Sequence, residues 1–183
     1  MAEKYISGRE SEIDYFISLI AENDKLAIES VYAETKTAVY GFALSIVQDV
    51  KAAEEVMRET YTKVFSSAQK YVPNGKPMVW ILSITRDLAL AKQVESSGAG
   101  VSLEFDREET PDENDFQRTL DQFVLKTALS NLDEDDRQII MLQDVAGMKP
   151  GETAALLELP LPVVLLKYPR ALSKLKRHLK ELI

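Results

Sequence analysis

From Ser11 to Gln93 apolar side chains recur every three or four residues, the spacing of helices that each bury one side. In "EIDYFISLIAEN" the residues Ile13, Phe16, Ile17 and Ile20 share a face. "KLAIESVYAETKTAVYGFALSIVQD" predicts a second helix through Ile28, Val31, Tyr32, Val39, Phe42, Ala43 and Ile46. The polar step Gln48-Asp49 ends it, and "VKAAEEVMRETYTKVFSSAQKY" predicts a third, with Ala53, Val56, Met57, Thr60, Val64 and Phe65 inward. "VPNGKP", two prolines around Asn-Gly, predicts a turn. The fourth helix, "MVWILSITRDLALAKQ", is apolar enough to be largely buried. No alternating strand pattern of useful length occurs.

The pattern changes at Val94. "ESSGAGVSLEFDREETPDENDF" is small, polar and acidic, the composition of a flexible linker. Helical spacing resumes near Phe116 in "FQRTLDQFVLKTALSNL", and three shorter helices follow. "DEDDRQIIMLQDVAG" opens on Asp133 as N-cap and stops at Gly147. "KPGETAALLEL" places Pro150 at a first helical position, and "PVVLLKYPRALSKLKRHLKEL" is the longest of the three. A short helix, a tight turn and a longer final helix have the layout of a helix-turn-helix unit, or of a plain three-helix bundle. The prediction is an all-α chain of two small helical domains, 1–95 and 116–183, joined by an acidic flexible linker over 96–115.

Composition narrows the function classes. A hydrophobic fraction of 45% and a charged fraction of 28% over 183 residues are ordinary for a globular protein. The absence of cysteine removes disulfides, thiol nucleophiles and thiolate metal ligands. "MAEKYISGRESEIDYF" lacks a signal pattern, and no apolar run approaches the roughly 18–20 residues of a membrane span. The expected compartment is the cytoplasm, with no membrane insertion. Net charge is −8, the wrong sign for a protein held by nucleic acid through its overall field. The one strongly basic segment is the last helix, with Lys167, Arg170, Lys174, Lys176, Arg177 and Lys180.

Enzyme chemistry finds no support in the residues. His178, the only histidine, sits on the charged last helix and is expected at the surface. The neighbouring pairs Glu54-Glu55 and Glu108-Glu109 point about 100° apart on a helix, so neither forms an acid/base dyad. No phosphate loop, nucleophile triad or metal-ligand spacing occurs. The chain is therefore expected to be no enzyme and to carry no cofactor or metal.

The C-terminal stretch "ALSNLDEDDRQIIMLQDVAGMKPGETAALLELPLPVVLLKYPRALSKL" resembles the fourth conserved region of sigma-70-type RNA polymerase sigma factors of the extracytoplasmic-function group. That family reads A-L-x-x-L-P-x-x-x-R-x-V-x-x-L, then G-x-S-x-x-E-I-A-x-x-L-G-I-P-x-G-T-V-K-S-R-x-x-R-A-x-x-x-L. Leu132, Arg137, Leu142, Gly147, Glu152, Ala154, Leu157, Pro160, Val164, Arg170, Ala171 and Leu175 fall in place without a gap. Upstream, "AAEEVMRETYTKVF" resembles the family's A-E-D-x-x-Q-E-x-F-x-x-V-[WF], and "VWILSITRDLAL" its W-L-x-x-I-A-R-N-x-x-x-D.

The resemblance implies a first domain that binds the clamp of core RNA polymerase and opens the −10 promoter element, and a second that reads the −35 element. The implied polymerase-binding residues are Glu54, Glu55, Arg58 and Glu59; Arg58 stands where the family has glutamine. The implied −10 face holds Trp80, Arg86, Asp87 and Lys92, with Asp87 in place of asparagine. Farther along, Ala91, Val94 and Glu95 replace an aspartate and two arginines, weakening attraction to phosphate. The implied −35 helix offers Val163, Leu166, Lys167, Arg170 and Lys174. Its family stretch Thr-Val-Lys-Ser-Arg here reads "VVLLK", which can meet a thymine methyl but cannot hydrogen-bond a base edge.

On a helical wheel Val164, Tyr168, Ala171, Leu175, Leu179 and Leu182 form the core stripe, and the basic residues lie opposite. Pro169 removes one backbone bond at a cost of about 3 kcal/mol, so a kink is expected there. Two functions follow. The first is an extracytoplasmic-function-type sigma factor that binds core polymerase and promoter DNA and is regulated by an anti-sigma protein. The second is a sigma-like protein without sequence-specific DNA binding, acting through the apolar patch Leu161, Val163, Leu165 and Leu166 on a protein partner or as a homodimer.

Overall fold

The computed structural model describes residues 2–97, 127 and 130–182. The Glu108-Glu109 pair, nearly all of the expected linker and nearly all of the helix expected from Phe116 lie outside them. Among the described residues the fold is all-α. The N-terminal lobe holds α1 (Ala2–Ala21), α2 (Ala27–Val47), α3 (Val50–Ser67), a 3-10 turn (Ala68–Lys70) and α4 (Pro77–Ser97). The C-terminal lobe holds α5 (Glu134–Ile140) with a π-helical continuation (Met141–Val145), α6 (Pro150–Leu157) and α7 (Leu161–Leu182).

Helix α2 is the hub, packed against α1, α3 and α4 and also against α5 and its π turn. Its sequence explains why. From Gly41 to Ile46 every residue is buried, so this end of α2 has no solvent face. A helix that is apolar all round must be covered on all sides. The N-terminal lobe covers one side through Ile13, Ile17, Val56, Val64, Ile81 and Leu82. The C-terminal lobe covers the other, since Ile139, Leu142, Ala146, Met148 and Val164 belong to the same continuous core.

Three buried threonines of the N-terminal lobe are satisfied locally. The hydroxyls of Thr35, Thr60 and Thr85 donate to carbonyls one turn back, at 2.6, 2.8 and 3.0 Å. Asp49 caps α3 by accepting from the Ala52 amide at 2.8 Å, so two residues suffice to reverse the chain between α2 and α3. The turn before α4 is pinned from α1, where Asp14 accepts from the Gly75 amide at 2.9 Å and from the Tyr71 hydroxyl. Gly75 has φ +73, the left-handed conformation that the Asn-Gly signal predicts.

In the C-terminal lobe Gly147, also at φ +73, closes the turn after the π segment. Pro150 opens α6, as its fixed φ favours. The wheel for α7 holds, with Val164 and Ala171 fully buried and Tyr168, Leu175 and Leu179 half-buried. Pro169 does not divide α7, which runs as one helix from Leu161 to Leu182. The carbonyl of Leu165 that loses its amide partner belongs to an exposed turn, where water can take the bond. His178 is half-buried rather than fully solvated.

Candidate functional site: a divided α3–α4 face and a charge-paired last helix

The four residues assigned to polymerase binding split between two sides of α3. Met57, Arg58, Tyr61, Thr62 and Phe65 recur at helical spacing and, with Ile28 and Tyr32 of α2, line an open groove of about 550 Å³. Arg58 is the cation of this otherwise apolar groove; Tyr32 and Phe65 are 39% and 42% exposed, unusual for aromatics in a packed helix pair. Glu55 turns instead toward α4 and meets Lys92 at 2.5 Å. Glu59 lies on the same side, and together the acids raise the Lys92 pKa, the Glu55 hydrogen bond most of all. Glu54 is exposed.

The residues assigned to the −10 face divide as well. Arg86 and Asp87 line a crevice of about 340 Å³ between α4 and α6, with Val79, Ser83, Ala155, Leu156 and Glu158. Trp80 stacks on Tyr71, ring centres 4.5 Å apart. Lys92 does not join them. Six residues beyond Arg86 it falls on another side of α4, where Glu55 takes it up.

Sequence reasoning missed the acids that oppose these cations. Glu152 meets Lys76 at 3.5 Å, and Glu158 meets Arg86 at 3.9 Å. Glu158 is the C-cap of α6 with φ 58 and ψ 34, where a non-glycine residue costs on the order of 1 kcal/mol. The only signal was a carboxylate directly after the apolar end of α6, "ALLELP".

The last helix is charge-paired against its own lobe. Asp136 is 3% exposed, and its two oxygens each take a lysine, Lys174 at 2.9 Å and Lys167 at 3.5 Å. Asp133 adds a second contact to Lys174 at 3.3 Å, and Asp135 one to Lys167 at 3.2 Å. The Lys174 pKa is raised, chiefly by its bond to Asp136. Burial opposes the rise at Lys167, but Asp135 and Asp136 outweigh it. The basic stripe is thus not uniformly solvated. Arg170 stays exposed, and Val163 is half-buried. Leu161, Leu165 and Leu166 are 42%, 54% and 54% exposed, so the apolar patch is on the surface apart from the half-shielded Val163.

These features define a class: a two-lobed all-α protein whose C-terminal lobe is a helix-turn-helix. No protein-family model matches the chain. It is 31% identical over 81 residues to the extracytoplasmic-function RNA polymerase sigma factor SigK of Mycobacterium sp. (strain KMS), 44% of this chain and 42% of that one. To SigK of Mycobacterium ulcerans it is 28% identical over 94 residues, half of each chain. The chain thus spans about half the length of the curated relatives it matches or less. The fold is similar to CnrH solved in complex with the cytosolic domain of CnrY: TM-score 0.67, 19% identity, 93% of this chain and 98% of that one. It is also similar to the sigma factor RpoE solved with the anti-sigma factor NepR from Bartonella quintana: TM-score 0.60, 20% identity, 83% and 96%. The chain has the fold of these sigma factors, and part of its sequence is similar to curated extracytoplasmic-function sigma factors.

Proposed function

We propose that this protein is a non-enzymatic sigma-type transcription factor of the cytoplasm that binds core RNA polymerase and brings it to promoters. Its domains would be 1–95 and 116–183, joined through 96–115. The observation that carries the reading is the α3 face: an open apolar groove with Arg58 on it and Glu54 beside it, on a fold shared with sigma factors. Glu55 and Glu59 would act from the adjoining side, and the exposed edge of α4 near Arg86, Asp87 and Trp80 would meet the −10 element. The named complexes of the structural relatives support an anti-sigma protein as a further partner. Among the described residues no helix is long and apolar enough to cross a membrane.

The test is affinity for purified core polymerase. Arg58→Gln restores a donor-acceptor amide and is expected to tighten binding several-fold, while Phe65→Ala, which removes the exposed ring from the groove, weakens it at least tenfold. Equal affinities for all three proteins would refute the assignment of this face.

A second reading is favoured by α7, where the exposed end is aliphatic and Lys167 and Lys174 are already paired. On this reading the helix contacts protein, a partner or a second copy, rather than DNA bases. Sedimentation decides whether it self-associates: a monomer at all concentrations, unchanged by Leu166→Lys, rules out the homodimer.

A further inference from the structure

Resting on the sigma-type reading, we infer that α7 reads thymine methyl groups in the major groove, with Leu165 and Leu166 as its specificity-determining residues. In a helix-turn-helix the N-terminal end of the last helix meets the base edges. Here that end carries no side chain that can hydrogen-bond a base: Leu161, Pro162, Val163, Val164, Leu165 and Leu166 are all apolar. The backbone is equally silent. Pro162 has no amide proton, and the amides of Val163 and Val164 both donate to the Pro160 carbonyl, at 2.9 and 3.3 Å. Yet Leu165 and Leu166 are presented to solvent, each 54% exposed, just beyond the first turn.

Every base pair shows the major groove donors and acceptors, and thymine alone adds a methyl group. An aliphatic side chain set against guanine, cytosine or adenine strips water from polar atoms it cannot partner, which weakens binding. Set against thymine, it buries a methyl, which strengthens binding about fourfold for each one covered. Two leucines covering two methyls give about fifteenfold.

Charge selects DNA as the occupant of this face. From Arg170 to Lys180 every charged side chain of α7 is basic, and Arg170, Lys176, Arg177 and Lys180 are exposed. At about 100° per residue, Leu166, Arg170 and Arg177 fall within about 40° of arc, on the side away from the buried Val164 and Ala171. The apolar reader and two cations therefore share one line along the helix. Acids close one flank of that line, where Asp135 and Asp136 hold Lys167 and Asp133 and Asp136 hold Lys174. Lys176 and Lys180 lie on the opposite flank, the one open to phosphate. Phosphate contacts from these cations fix the register, and the leucines carry the sequence preference.

The test removes and adds the methyl alone. Fluorescence anisotropy follows the full chain, free and bound to core polymerase, at about 50 mM salt, where phosphate contacts are strongest. The probes are a short alternating A·T duplex, the same duplex with deoxyuridine for thymine, and a G·C duplex with cytosine or with 5-methylcytosine. Deoxyuridine is expected to lower affinity about fifteenfold, and 5-methylcytosine to raise it at least fourfold over cytosine. The second pair separates a methyl contact from the shape of A·T-rich DNA. Leu166→Ser, at an exposed site, should reduce the thymine-to-uracil ratio to about fourfold, and Leu165→Ser added to it should abolish the ratio. The inference is overturned if thymine and uracil duplexes bind within twofold, if 5-methylcytosine gives no gain, or if the double variant keeps the ratio. A chain that binds none of the duplexes in either state also overturns it and leaves the apolar end of α7 to a protein partner. Core-polymerase binding, measured on the same samples, separates the two claims. Methyl preference without polymerase binding sinks the sigma reading and keeps this one; polymerase binding without methyl preference does the reverse.

Discussion

Replacing Asp133 and Asp135 together by asparagine should turn the last helix from a self-neutralised surface into one that binds DNA. In the native lobe three carboxylates face two ammonium groups, leaving the cluster at one negative charge. The two substitutions leave Lys167, Lys174 and the buried Asp136, one positive charge. Asp136 is kept because both lysines depend on it for position and its loss would disturb the fold. The one positive charge this frees for phosphate steepens the slope of log affinity against log salt by about 0.9. Between 50 and 200 mM salt, that amounts to an extra factor of about 3.5. Fluorescence anisotropy with a 25-base-pair duplex of arbitrary sequence, at four salt concentrations, reads the slope directly. A variant that melts like the wild type but keeps its slope within about 0.3 would show that these lysines do not face phosphate.

Two further expectations concern the helices that carry the site. Thr35 donates its proton to the Val31 carbonyl at 2.6 Å, so the Tyr61 hydroxyl, 2.8 Å away, must be the donor between them. Tyr61→Phe should therefore cost about 1 kcal/mol in urea unfolding, and Thr35→Val together with it less than the sum of the two singly; strict additivity would dismiss the bond. The fold should also weaken in alkali. Burial, reinforced by Glu54 and Asp49, pushes the Tyr40 pKa up to about 12, and burial raises Tyr61 and Tyr71 further. The unfolded chain loses these protons near pH 10 while the native state keeps them, so stability is full below pH 10 and falls between 10 and about 12. A denaturation midpoint flat across that window would contradict the burial.

The helices were legible because each reports its own burial through spacing: Ile13, Ile17 and Ile20 mark α1, and Val164 and Ala171 mark α7. What joins the lobes was written differently. "GFALSI" in α2 is apolar without a period, the mark of a helix covered all round, but the pattern does not say by what. The candidate site was half legible. Motif positions put Arg58 on the third helix and Arg86 on the fourth, where they lie, yet the acids that answer the cations lie far away in sequence. Asp133, Asp135 and Asp136 reach Lys167 and Lys174 only because α5 and α7 cross, and Glu158 reaches Arg86 only because the lobes close. At Pro169 local chemistry predicts a kink, and α7 runs through the proline as one helical segment from Leu161 to Leu182.

The central claim is that this fold still works as a sigma factor. Purified chain mixed with core RNA polymerase of its host, followed by gel filtration and transcription from a library of genomic fragments, tests it directly. The account predicts co-elution with polymerase and transcripts that begin at a small set of defined sites only when the chain is present. A chain that elutes alone and leaves the transcript pattern of core polymerase unchanged would contradict it.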